Sequence, residues 1–253
     1  MLDNFKIMWH QGKQYIPNVT TSMVPGIFRG RPIIEKTSAD EMPFSEKLSL
    51  VELCPVNAIS ISPICIDLGK CTFCGQCAVQ YPDIIRFTSD YQISTNLRER
   101  LLVYESTQIT LDHSAIRKEI HRLFGGSLKL RQISAGGDNS CELELNASNN
   151  VQFDISRFGI DFVASPRHAD GIVITGPITE NMAGPLEICY NAIPEPKIII
   201  LAGTDAISGG IFTDSPAINR EFLSKHPIDL YIPGNPVHPL TFINGVLSLI
   251  CKT

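Results

Sequence analysis

Apolar positions along this chain change their spacing more than once, and the changes mark out its parts. From residue 128 onward, short runs rich in β-branched residues alternate with stretches of helical period. The runs 128–133, 158–164, 171–176, 197–203 and 230–233 predict strands, and 141–147, 182–192 and 239–251 predict helices. Such alternation predicts an α/β domain with a mainly parallel sheet. Ile198, Ile199, Ile200 and Leu201 form a continuous apolar run, as expected of a strand covered on both faces. In sheets of this kind the working loops lie beyond the carboxyl ends of the strands. Those loops are 134–140, 165–170, 203–210 and 233–238.

Upstream the pattern is shorter in range. Residues 56–61 and 64–66 predict two short strands of a small module that carries five of the cysteines. Ile116, Ile120 and Leu123 recur at helical spacing and predict a helix over 114–124, with Asp112 as its cap. Residues 1–45 hold Pro17, Gly26, Gly30 and Pro32 with no sustained apolar period, and read as an extended N-terminal arm that lies on another surface. The organisation expected is an arm over 1–45, a small module over 46–95, a linker and helix over 96–126, and the α/β domain over 127–253.

Composition narrows the function. A length of 253 residues with 43% hydrophobic residues suffices for a sizeable core. A net charge of -5 provides no basic field, so nucleic acid is not an expected partner. The first residues lack a basic start followed by an apolar run, and no stretch reaches the roughly 18 apolar residues of a membrane span. The chain reads as soluble and cytoplasmic. Its eight cysteines are not arranged as a disulfide framework, because Cys71, Cys74 and Cys77 recur every third residue in a chain too large to need staples.

That triple places three thiolates on one tight turn. Soft thiolates select iron-sulfur clusters or zinc, and zinc ribbons favour two separated C-x2-C pairs over a triple. In the ferredoxin run C-x2-C-x2-C-x3-C-P, the fourth cysteine ligates the other cluster when two are present. Here Tyr81-Pro82 occupies that fourth place, while an isolated Cys54-Pro55 lies upstream with Phe44, Lys47 and Leu50 where its own three cysteines would stand. The pattern predicts a ferredoxin-like module with one [4Fe-4S] cluster on Cys54, Cys71, Cys74 and Cys77, a zinc site or free thiols being the competing chemistry. Cys65, Cys189 and Cys251 fall in apolar patterns and read as packed core residues.

Several stretches carry a family resemblance: RLFGGSL at 122–128, CELEL at 141–145, RFGIDFVASPRHAD at 157–170, ITGP at 174–177, AISGG at 206–210 and YIPG at 231–234. Together with FRGRP at 28–32, they resemble the small cluster-bearing subunits of respiratory complex I and of membrane-bound group 4 [NiFe]-hydrogenases, including the formate hydrogenlyase type. The resemblance implies a flavodoxin-like domain. It also implies a second, proximal cluster held by four cysteines, whose places here are Asp138, Cys141, Asp205 and Asn235. Two carboxylates and an amide are hard ligands, so no normal cluster is expected at this site. The implied partners are a catalytic-type large subunit, membrane-embedded antiporter-like subunits and a ferredoxin-type electron donor. The implied location is the inner face of the cell membrane. The chain therefore reads as an electron-transfer or assembly subunit of such an oxidoreductase complex, without a complete active site of its own. A structural docking subunit is the competing reading.

Overall fold

A computed structural model of the protein describes residues 2–12, 14–24 and 26–252. The first half contains helix α1 (Leu2–Gln11), strand β1 (Pro32–Ile34), helices α2 (Lys36–Glu41) and α3 (Phe44–Glu52), and the hairpin β2 (Ile59–Ile61) and β3 (Ile64–Asp67). Helix α4 (Gln76–Gln80), β4 (Ile85–Phe87) and β5 (Leu102–Val103) follow. β1 pairs antiparallel with β4, Ile34 opposite Ile85, and β3 pairs antiparallel with β2 and β5. With α2 and α3 taken together as one crossover, the order from β1 to β4 follows the βαββαβ of a ferredoxin-like unit, its strands divided between the pair β1-β4 and the sheet β2-β3-β5. Leu50, Ile66 and Ile85 are buried at its centre.

The stretch expected to be an extended arm supplies part of this module. β1 provides a strand of it, and Ile34, Ala39 and Met42 are buried in its core. These apolar residues are too few and unevenly spaced to show a period, and the partner of β1, β4, lies some 50 positions on. Farther upstream, Val19 is buried and its carbonyl accepts from the Tyr91 hydroxyl at 2.6 Å. The Ile16 amide donates to Gln152, so this segment lies on the α/β domain.

That domain contains helix α5 (Lys118–Phe124), β6 (Leu128–Ser134), α6 (Ser140–Ala147), β7 (Ile160–Phe162), β8 (Gly171–Thr175) and α7 (Glu180–Asn191). It continues through β9 (Ile198–Ala202), α8 (Thr204–Ser208), α9 (Glu221–Lys225), β10 (Leu230–Ile232) and α10 (Pro239–Leu249). The five strands are parallel in the order β7-β6-β8-β9-β10. Counted from the first strand of the domain this is 2-1-3-4-5, the flavodoxin-like winding. β8 and β9 bury every residue, because helices cover both faces.

Two expected elements differ in detail. The helix predicted from 114 starts at Lys118, since Ile116 is extended; Asp112 caps a short 3-10 turn instead, accepting from the Ser114 amide at 3.0 Å. α10 ends at Leu249, so Cys251 is exposed rather than packed.

The two halves share a continuous core that includes Leu50, Ile66 and Ile85 from the small module and Ile133, Ile172 and Leu201 from the sheet. Thr95 pairs with Tyr231 of β10 through amide–carbonyl bonds of 3.0 and 2.8 Å. The segment leaving the small module thereby extends the edge of the sheet.

Candidate metal centre

Cys71, Cys74 and Cys77 lie on the loop after β3 and in the first turn of α4, and Cys54 follows α3. The loop needs unusual backbone: Phe73 has φ 54° and Gly75 has φ 79°. A side chain at Gly75 would also collide with Arg29, whose Nε would sit 2.6 Å from a Cβ there. Arg29 in turn donates to the Phe73 carbonyl at 3.3 Å and closes the loop from outside.

Cys54, Cys71, Cys74 and Cys77 line a common cavity whose remaining wall includes Val56, Ile59, Ile66 and Phe87. Cys71 is buried, Cys54 and Cys77 are half-buried, and Cys74 is exposed. The Ala58 and Phe73 amides donate to the sulfurs of Cys54 and Cys71, each at 3.3 Å. Burial pushes the Cys71 thiol up, and the nearby Cys77, Cys54 and Cys74 push it further. Cys77 is pushed up to about 11, mainly by burial, with Cys74 and Cys54 adding to it. Four thiolates held this close repel one another, and bound cationic metal offsets that cost.

Soft donors, amide N–H groups aimed at sulfur and an apolar wall fit an iron-sulfur cubane. Among the described residues no three such side chains stand close enough to clasp a single ion. A cubane is less demanding, because each thiolate binds a different iron. The places of a second ferredoxin cluster are filled otherwise: Leu50 is fully buried, Tyr81 packs partly buried against the core, Lys47 is half-buried and Phe44 is exposed. Cys65 is buried, its sulfur 3.2 Å from the Ser60 hydroxyl that donates to it, as a core residue should be.

The second set lies on loops leaving the carboxyl ends of β6, β9 and β10. Asp138 accepts from the Ser140 amide at 2.9 Å and hydroxyl at 2.6 Å, bonds that hold its carboxyl below the usual range. Cys141, in the first turn of α6, is buried. Its thiol is pushed up to about 12 by burial, an effect opposed by the Val237 amide and reinforced by Glu142, Asp205 and Asp138. Asp205 Oδ1 is buried without a hydrogen-bond partner, and burial raises its pKa, followed by the charges of Asp138 and Glu142. Asn235, beside the cis Asn235-Pro236 bond, lines an adjoining groove with Arg29, Phe73 and His238. One thiol, two carboxylates and an amide do not fit a cubane.

Three residues of this region escaped the sequence reading. Glu142 is buried and accepts from the Thr175 hydroxyl at 2.6 Å. Arg220 donates to the carbonyls of Pro177, Ala206 and Ile207, tying down the end of α8. Thr204 is fully buried between the two sites. Only Glu142 left a trace in the sequence, as a charge beside Cys141 on a helix.

Residues 139–249 match the family described as NADH ubiquinone oxidoreductase, 20 Kd subunit. A probable membrane-bound hydrogenase subunit of Pyrococcus furiosus is 33% identical over 134 residues, which cover 53% of this chain and 80% of that protein. The chain belongs to this family. One NADH-quinone oxidoreductase subunit of Clostridium beijerinckii is 43% identical over 110 residues, 43% of this chain and 65% of that one. Formate hydrogenlyase subunit 7 of Escherichia coli is 36% identical over 139 residues, 54% of each chain. The family match falls within the α/β domain, and the chain spans between about half and four fifths of these relatives. A solved structure of the membrane-bound sulfane sulfur reductase, an archaeal respiratory membrane complex, aligns at 29% identity over 51% of this chain and 71% of its own, with a TM-score of 0.44. Relatives in the family are subunits of hydrogenase and complex I-type assemblies. Among the described residues of this chain no helix is long and apolar enough to cross a membrane.

Proposed function

We propose that this chain is an iron-sulfur electron-transfer subunit of a membrane-associated, hydrogenase-like or complex I-like complex. Cys54, Cys71, Cys74 and Cys77 hold its one [4Fe-4S] cluster, and the site of Asp138, Cys141, Asp205 and Asn235 holds none. The observation that carries this reading is the contrast between the two donor sets: four cysteines lining one cavity, against one buried thiol among oxygen donors. A cluster bound there supplies reversible one-electron transfer. The chain's own residues anchor it, donate N–H bonds to Cys54 and Cys71, and exclude water through Phe73 and Phe87, whose rings lie 6.2 Å apart.

The proposed partners are a catalytic-type large subunit, antiporter-like membrane subunits and a ferredoxin-type donor, with the chain on the inner face of the membrane. Anaerobically purified protein is expected to contain about four irons and four labile sulfides per chain, the content of one cube. About eight irons would refute the single-cluster reading, and zinc without sulfide would refute the cluster altogether.

The oxygen donors at the second site also favour a docking subunit in a complex without hydrogen or quinone chemistry. Cys54→Ala in the intact complex separates the two. Lost turnover with assembly preserved supports electron transfer; unchanged turnover supports docking.

A further inference from the structure

Thr204 opens α8 directly after β9, and its side chain is fully buried. Its Oγ1 lies 2.9 Å from the Cys71 carbonyl oxygen and 3.2 Å from that of Gly234. A hydroxyl has one proton to give. The Gly234 carbonyl already accepts from the Thr204 amide at 2.9 Å, so the hydroxyl proton goes to the nearer Cys71 oxygen. The Cys71 amide is engaged within its own loop, donating to Asp67 at 2.9 Å. Its carbonyl is served from the other half of the molecule, 133 positions along the chain.

The same short turn touches the second site. Gly203 packs on the Cys141 sulfur, and Asp205 is the carboxylate with the unpartnered oxygen. One turn, 203–205, therefore contacts both a proposed cluster ligand and the degenerate pocket.

We propose that Thr204 is a positioning residue for the cluster: its hydroxyl holds the Cys71 backbone and sets the positive end of an O–H dipole on the carbonyl of that ligand residue. This inference rests on the single-cluster reading. A positive dipole end near the cluster stabilises the reduced state, which carries one more negative charge. Without the hydroxyl the cluster is harder to reduce.

The experiment is an EPR-monitored redox titration of the full chain with parallel iron analysis, comparing wild type, Thr204→Val and Thr204→Ser. Valine keeps the shape and removes the donor; serine keeps the donor and removes the methyl. The expected result is a midpoint more negative for Thr204→Val, iron content unchanged, and a midpoint returned towards wild type in Thr204→Ser. Equal midpoints for wild type and Thr204→Val overturn the inference, as does a shift in Thr204→Ser as large as that in Thr204→Val. Should Thr204→Val take up no iron, Thr204→Ala replaces it under the same criteria. A wild-type chain that binds no cluster sinks the electron-transfer reading and this inference together, whereas a wild-type cluster indifferent to residue 204 sinks this inference alone.

Discussion

Replacing Gly203 with alanine tests how tightly the second site is closed. Gly203 has φ 98° and ψ 153°, a region that side-chain-bearing residues avoid, and forcing alanine into it costs about 1–3 kcal/mol. A Cβ there would lie 2.6 Å from the Cys141 sulfur, well inside contact, while its next neighbour, the Gly234 oxygen, is at an ordinary 3.6 Å. Overpacking of this kind costs about 1–3 kcal/mol more. Gly203→Ala is therefore expected to destabilise the protein by roughly 2–6 kcal/mol in total. Cys141→Ala alone removes one buried sulfur and costs roughly 1–2 kcal/mol. In the double variant the collision is gone, leaving the backbone strain at 203 and the cost of the lost sulfur. The double cost should fall short of the sum of the single costs by the collision alone, about 1–3 kcal/mol. The assay is denaturant unfolding of all four proteins under anaerobic conditions at one pH. Costs that add to within about 0.5 kcal/mol would show that residue 203 and the sulfur do not touch. The packing account of the closed pocket would then be wrong.

Two further outcomes follow from the same structure. Arg98 grips Asp67 through two bonds of 2.8 and 2.7 Å just ahead of the cysteine loop, and Asp67 also accepts from the Gly69 amide. Lysine cannot reproduce the fork, so Arg98→Lys should cost about 1 kcal/mol in denaturant unfolding, and a variant as stable as wild type would refute the bidentate role. His238 caps α10, its Nδ1 accepting from the Leu240 amide at 3.1 Å, and burial lowers its pKa below the ordinary 6.5. Below pH 6.5 the unfolded chain takes up a proton that the folded chain refuses, so stability falls as pH drops from 6.5 towards the lowered value and then levels. His238→Asn should remove that part of the pH dependence between pH 7.5 and 5.5, in the same assay; an unaltered slope would refute it.

Much of the fold, and the donor types of the candidate sites, is legible in the sequence because both rest on local properties. Continuous apolar runs such as 198–201 mark strands buried on both faces, and their alternation with helical stretches implies parallel winding. The identity of a ligand is itself a sequence property. The triple Cys71, Cys74 and Cys77, and the oxygen donors Asp138, Asp205 and Asn235 at the places the family resemblance assigns to cysteine, can be read without coordinates. Tertiary structure alone decided what depends on contacts between distant segments. β1 is invisible as a strand until β4 pairs with it, because its three residues carry no period of their own. Cys251 looked like a core residue until α10 ended at Leu249 and turned it outward. Glu142 is an ordinary helix charge until α6 packs it against Thr175, and Thr204 is an ordinary helix start until the small module brings Cys71 within 2.9 Å. Periodicity reports the face of an element that is buried; which partner buries it is set only when the halves of the chain close on one core.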